Sequence, residues 1–274
     1  MLYVKIINVK RLDRGELMKI LTVGDIVGRV GLQKLKDCLP YIVKEKEIDF
    51  VIVNGENAAD GMGITEKMYR EMLSLGVNVV TMGNHTWGKK EIFNFIDDKN
   101  IVRPANYSPN NPGKGYDIYE CKGKKIAVIN LIGRVTMGVL SENPFIVAKD
   151  IVQKIKNKVD IIVIDFHGEA TAEKIALSHY LDGEITILFG THTHVQTADE
   201  RITEKGMGYI TDIGMTGPKN SVIGMDIAAS IKRFETSLPE KYKLAEGKGM
   251  FNGCIFEIDD ITNKVVKIER YNKN

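Results

Sequence analysis

The chain has only five histidines, and two of them, His192 and His194, stand one residue apart in GTHTHVQTADE. They follow the apolar run Ile185-Thr186-Ile187-Leu188-Phe189, which reads as a buried strand. Imidazole is the commonest side-chain metal ligand and titrates near neutral pH. Other residues able to do chemistry fall in the same kind of place. Gly24-Asp25 follows the strand pattern Ile20 to Val23, and Asn54-Gly55-Glu56-Asn57 follows Phe50 to Val53. Gly83-Asn84-His85 follows Val77 to Thr81, and Phe166-His167-Gly168 follows Asp160 to Asp165. Four of the five histidines lie at these five junctions; His179, within a helical pattern, does not.

Taken singly, each junction has an ordinary explanation. Gly-Asp after a strand is a common turn or helix cap, Asn57 and Asn84 are typical turn residues, and a lone histidine is often a satisfied core residue. Together they point elsewhere, because open α/β sheets bind ligands beyond the carboxyl ends of their strands, where residues distant in sequence meet. Three histidines with carboxylate and amide oxygens suit iron, manganese or zinc better than an all-oxygen magnesium site, and the absence of cysteine ligands argues against a closed structural zinc. Two divalent ions held by Asp25 and Glu56 as the only carboxylates would keep a formal charge of about +2, suited to an anionic phosphoryl group. In a straight strand His192 and His194 would share one face; a bend would send them to neighbouring ions.

The elements that must position these residues alternate. After Ile20 to Val23 comes a helix over Leu32 to Lys46, which Pro40 is expected to kink or split. Helices over Glu66 to Leu75 and Lys89 to Asp97 separate the next strands, so the opening β-α-β-α order implies parallel strands with right-handed crossovers. Tyr116 to Glu120 and Lys125 to Leu131 flank Cys-Lys-Gly-Lys as a hairpin. Helices over Phe145 to Lys156, Ala172 to Leu181 and Ile227 to Phe234 follow, interleaved with the later strands and a short strand over Tyr209 to Asp212. Gly253 to Ile258 and Lys264 to Arg270 read as a terminal antiparallel pair. The expected architecture is a mixed sheet or two packed sheets.

With 274 residues, 43% hydrophobic and 27% charged, the chain can build a large soluble core. A net charge of +2 without a long basic block argues against a protein that coats nucleic acid. Three scattered cysteines suggest no disulfide framework and fit a reducing, cytoplasmic setting, and no apolar run is long enough to span a bilayer. The first 17 residues carry four basic and two acidic side chains, leaving 34 of each in the remainder. Residues 1–17 are therefore expected to be an extension with Met18 as the native start, and 18–274 a single domain.

With these residues aligned, the chain resembles the calcineurin-like metallophosphoesterases, marked by an aspartate block, GDxx(D/N), GNH(D/E), a later histidine and GHxH. The blocks appear here as GDIVGRVG, NGENAADGMGIT, TMGNHTWG, DFHGEAT and FGTHTHVQTADE. Val27 replaces a usual histidine, Glu56 stands for the bridging aspartate, and Thr191 replaces a common glycine. Those departures, with TDIGMTGP, are similar to a narrower bacterial family, the YmdB-like metallophosphoesterases, from Met18 to near the C-terminus.

The resemblance implies an α/β fold, a four-layer α/β/β/α sandwich of two mixed sheets. It implies two metal ions, iron with manganese as the alternative. Asp25, Glu56, Asn57 and His194 would hold one, and Glu56, Asn84, His167 and His192 the other. His85 would be the general acid, with Thr86, Glu169 and Asn106 lining the pocket. The implied activity is hydrolysis of 2′,3′-cyclic nucleotides by in-line attack of a metal-bridging hydroxide. Alternatives are a phosphomonoesterase or nuclease on the same fold, or a regulatory protein that binds a cyclic nucleotide or RNA. The expected partner is a small phosphodiester, with RNA and self-association open and no membrane.

Overall fold

The computed structural model describes residues 17–241 and 243–274, so the expected N-terminal extension lies outside the described residues except for Leu17. The chain runs through β1 (Leu17–Val23), β2 (Asp25–Ile26), α1 (Gly28–Lys46), β3 (Phe50–Asn54), α2 (Glu66–Ser74), β4 (Val79–Thr81) and β5 (Ile101–Val102). It continues through β6 (Tyr116–Cys121), β7 (Lys124–Ile132), α3 (Pro144–Ile155), β8 (Ile161–His167), α4 (Thr171–Leu181) and β9 (Ile187–Thr191). Then come β10 (Arg201–Ile202), β11 (Gly208–Ile210), β12 (Met215–Pro218), α5 (Ile227–Thr236), β13 (Gly249–Asp259) and β14 (Val265–Lys273).

The strands form two mixed sheets. One has eight strands in the order β2-β12-β13-β1-β3-β4-β5, with β14 also paired to β13; the other has six in the order β10-β11-β9-β8-β7-β6. Side chains alternate across each strand, and in the central strands both faces are covered, so β3, β8 and β9 are buried along their whole length and largely apolar. In β1, Leu21 and Val23 pack with Leu35 and Leu39 of α1, whereas Met18 and Ile20 turn to the second sheet and meet Val128, Val163 and Phe189. On the far side, Ile129, Leu131 and Ile164 pack against Val152 of α3 and Leu177 of α4. The layers are therefore helix, sheet, sheet, helix, as the resemblance implied.

Several expectations are refined. Pro40 does not split α1, which runs unbroken for 19 residues. Pro40 and Lys36 both lie on the exposed side, so water can satisfy the Lys36 carbonyl that a proline ring leaves unpaired. The segment expected as a helix over Lys89 to Asp97 is a 3₁₀ turn over Lys90–Asn94. The hairpin at Lys122-Gly123 is present, with φ of 47° and 75°, the positive pair a type I′ turn requires. The C-terminal antiparallel pair also forms, but β13 inserts into the middle of the first sheet, between β1 and β12. No helix among the described residues is long and apolar enough to cross a membrane.

Parallel register brings the carboxyl ends into line. Val23 pairs with Val53, Asn54 with Thr81, and in the other sheet His167 with Thr191. The two sheets thus open onto a common edge, and there the strand-end residues collect.

Candidate metal centre

All eight residues singled out from the sequence meet at this edge. Asp25, Glu56, Asn57 and His167 are fully or almost fully buried. Asn84, His85, His192 and His194 are partly buried, and the three histidines line the opening. Gly83 makes the crowding possible: a Cβ there would overlap Glu56 Oε2 and the His167 ring. His192 and His194 both have left-handed backbones, with φ of 99° and 64°, so the strand does bend between them. Thr193, between them, instead donates its backbone N–H to Asp212 Oδ2 at 3.1 Å.

Two overlapping baskets of ligand atoms result. In the first, His167 Nε2 lies 3.0 Å from Glu56 Oε1, 2.9 Å from Asn84 Oδ1 and 3.1 Å from His192 Nδ1. In the second, the Asn57 side-chain nitrogen lies 3.4 Å from Asp25 Oδ1, 3.3 Å from Glu56 Oε1 and 3.2 Å from His194 Nε2. Glu56 Oε1 belongs to both. The amide oxygen and nitrogen of Asn57 exchange by a half-turn, so its oxygen can be offered either to His85 or to a cation.

The outer nitrogen of each imidazole is engaged. His167 Nδ1 meets the Thr191 hydroxyl at 2.9 Å, His194 Nδ1 the Ile223 carbonyl at 2.8 Å, and His192 Nε2 Glu169 Oε2 at 3.1 Å. Each therefore presents its other nitrogen inward, the arrangement of metal-binding histidines whose second nitrogen is fixed by an acceptor. Inward imidazole nitrogens and carboxylate oxygens then face one another across the site, an arrangement that needs a shared proton or a cation between them. Glu56, His167 and His192 alone bring ligand atoms within 4.8 Å of one another. The donor set fits a metal.

The charges agree. Burial raises the Glu56 carboxyl, but the neighbouring His167 and His85 outweigh it and hold the group well below the usual range. Burial likewise opposes ionisation of Asp25, and His194 outweighs it. Burial disfavours the charge on His194, yet its hydrogen bond to Asp25 raises it to about 9. Burial and the nearby His167 lower His192 to about 3, so it meets half-exposed Glu169 as a neutral donor.

His85 sits beside the baskets. Its backbone N–H donates to Glu56 Oε2 at 2.9 Å, and its Nδ1 lies 2.8 Å from Asn57 Oδ1. Nε2 is the ring nitrogen left for a bound molecule. A cavity of about 340 Å³ opens over His85, His192 and His194. Its far wall is Val222, Ile223, Met225 and Phe234, with Arg233 and Lys241 also lining it.

Of the three weaker pocket expectations, only Glu169 lines the cavity. Asn106 instead ties loops together, exchanging hydrogen bonds with Ile132 and donating to the Glu142 carbonyl. Thr86 is buried and caps a turn by donating to the Gly83 carbonyl at 2.6 Å.

Other supporting groups went unassigned from the sequence. The Thr191 hydroxyl donates to Asp165 Oδ1 at 2.7 Å while receiving His167. Asp165 Oδ2 accepts from Thr81 at 2.5 Å and Asn54 at 3.2 Å, and burial pushes this carboxyl up to about 6. A buried Lys174–Asp212 pair lies behind the histidine loop. Asp212 carried a readable signal, an acid ending a strand pattern in TDIGMTGP; Lys174 carried none.

A family model described as YmdB-like protein matches residues 21–271. The chain belongs to the YmdB-like family. A 2′,3′-cyclic-nucleotide 2′-phosphodiesterase of Bacillus subtilis is 50% identical over 254 residues, 92% of this chain and 96% of that protein. The crystal structure of a phosphatase from Mycoplasma pneumoniae superposes with a TM-score of 0.90 at 39% identity, covering 94% of each chain. A protein of Thermus thermophilus superposes with a TM-score of 0.88 at 37% identity, over 93% of this chain and 99% of its own. In this YmdB-like chain the departure at Thr191 has a visible use, since a glycine there could not bridge His167 to Asp165.

Proposed function

We propose that this protein is a metal-dependent phosphodiesterase that hydrolyses 2′,3′-cyclic nucleotides. The observation that carries the reading is the pair of baskets sharing Glu56 Oε1 at the floor of a cavity. The 50% identical Bacillus subtilis relative, named for that activity, supplies the substrate class. Asp25, Glu56, Asn57 and His194 would hold one ion, and Glu56, Asn84, His167 and His192 the other. The mixed nitrogen and oxygen donors suit iron, with manganese as the alternative. Such a pair, when bound, activates water and neutralises phosphoryl charge.

The chain's own residues do the rest. Glu56, shared by both baskets, fixes their separation. The three imidazoles are prevented from turning by Thr191, Ile223 and Glu169. His85, oriented through Nδ1 by Asn57, is the general acid: it holds a proton at Nε2 for the departing ribose oxygen. The cavity is of small-molecule size, and its apolar wall suits a nucleobase. Free cysteines among the described residues suit the cytoplasm.

The test compares a 2′,3′-cyclic nucleotide, cAMP, p-nitrophenyl phosphate and RNA as substrates with added manganese or iron. Fastest turnover is expected on the 2′,3′-cyclic nucleotide. Cleavage of the monoester far faster than every diester would overturn the proposal.

A further inference from the structure

Lys174 sits on α4 with no exposed surface, facing an equally buried Asp212 at 2.8 Å. A buried ion pair is roughly equivalent in stability to well-packed apolar residues, so stability alone does not account for it. Its hydrogen bonds show where it acts. Lys174 Nζ also donates to the Thr191 carbonyl at 2.8 Å. Asp212 Oδ2 accepts from the Thr193 N–H at 3.1 Å, and Oδ1 from the Gly214 N–H at 2.8 Å. The pair thus grips the backbone immediately before and immediately after His192.

That backbone needs gripping. His192 and His194 both occupy the left-handed region, which side-chain-bearing residues rarely adopt unless their surroundings over-determine it. Gly190 fits the same crowding: a Cβ there would collide with the Thr211 carbonyl and would also stand 2.9 Å from Lys174 Cδ. The sequence stretch Gly190 to His194 therefore combines a gap for Lys174, a carbonyl for its ammonium, an N–H for Asp212 and two inward imidazoles.

We infer that the Lys174–Asp212 pair is a positioning clamp that sets the His192-Thr193-His194 backbone in its metal-ready shape before any ion arrives. The inference rests on the reading that His192 and His194 hold metal. Neither clamp residue touches substrate or ion; both act through the loop.

The double variant Lys174→Met/Asp212→Asn tests it, because it removes both charges and leaves no lone buried ion. Mn²⁺ affinity is measured by competition with a chelator, beside the melting temperature of the metal-free protein. The clamp predicts a melting temperature close to wild type and Mn²⁺ binding weakened about ten- to hundredfold, the usual scale for groups that orient metal ligands. A variant that binds Mn²⁺ as tightly as wild type overturns it. Wild-type hydrogen exchange decides the matter should the variant not fold. With EDTA present, the Thr193 amide is expected to be protected like the amides of β9. Exchange as fast as in exposed loops until Mn²⁺ is added would refute the clamp. A wild-type protein that takes up neither Mn²⁺ nor Fe²⁺ refutes the metal reading and this inference with it. Full loading of both wild type and variant refutes this inference alone.

Discussion

Replacing Gly83 with alanine adds one methyl group directly against the Glu56 carboxylate and the His167 ring. Its Cβ would stand 2.5 Å from both Cδ2 and Nε2 of His167, and closer still to Glu56 Oε2. Ordinary contact begins near 3.4 Å, so the His167 ring must retreat by about 0.9 Å. Neither neighbour can swing into solvent, since both are fully buried. His167 is also anchored by Thr191 at 2.9 Å, so the strain passes into the ligand positions. Displacing a reacting constellation by about 1 Å costs on the order of a hundredfold in rate. The overpacking itself costs about 1–3 kcal/mol of stability. Gly83→Ala should therefore melt a few degrees lower yet lose about a hundredfold in kcat/KM, with weakened metal binding by elemental analysis. Gly168→Ala is the control: its Cβ would find nothing nearer than 3.6 Å, and near-normal activity is expected. A Gly83→Ala protein with two tightly held ions and undiminished kcat/KM would show that the crowding is not what shapes the site.

Three other outcomes can be checked. His85→Ala should keep fold and metal while losing about 10²–10⁴ in kcat, measured on a 2′,3′-cyclic nucleotide; unchanged turnover would remove it as the acid. In the metal-free protein His194 is raised to about 9 through its bond to Asp25, so below that pH an ion must displace a proton. Metal affinity should fall as pH drops from 9 toward 6, and calorimetry in buffers of different ionisation enthalpy should register proton release near pH 7; no release would contradict the charge assignment. Phe234 is 80% exposed on a helix with no buried residue, so Phe234→Ala should leave stability untouched. Loss of base stacking, about 1–3 kcal/mol, should raise KM for a cyclic nucleotide about five- to 150-fold and leave that for p-nitrophenyl phosphate unchanged. Equal effects on the two substrates would mean that the wall does not contact a base.

The eight central residues were legible because each follows an apolar run, and parallel strands deliver their carboxyl ends to one edge. The bend at His192 and His194 was legible only as a condition, since φ is not written in side-chain spacing. What lay out of reach depends on contacts between distant segments. The pairing of β13 with β1 joins residues such as Leu17 and Asp259 from opposite ends of the described chain, and the terminal hairpin pattern carries no address for its neighbour. Lys174 follows Glu173 in the first turn of a helix, where a sequence shows only one more solvated charge. Thr86 looks like a pocket residue because it neighbours Asn84-His85 in sequence, and Asn106 because the resemblance implies it, but their side chains serve nearby backbone carbonyls.

The placement of polar groups behind the site explains why so few residues suffice for it. The residues proposed as ligands, Asp25, Glu56, Asn57, Asn84, His167, His192 and His194, come from both sheets, and no single element could hold them all. Two buried acids support them, one within a strand of the second sheet and one just after another. Asp165, on β8, accepts Thr81 and Asn54 from the first sheet and Thr191 from its own, tying the two layers together directly beneath His167. Asp212, beyond β11, joins Lys174 in holding the loop of His192. An apolar core at these positions would also pack, but the hydrophobic driving force by itself carries no direction. Directional bonds between the layers add a specific register, because a relative shift would break buried hydrogen bonds, each costly to lose. The spacing of the two baskets is thus set by the polar seam between the sheets as much as by Glu56 itself.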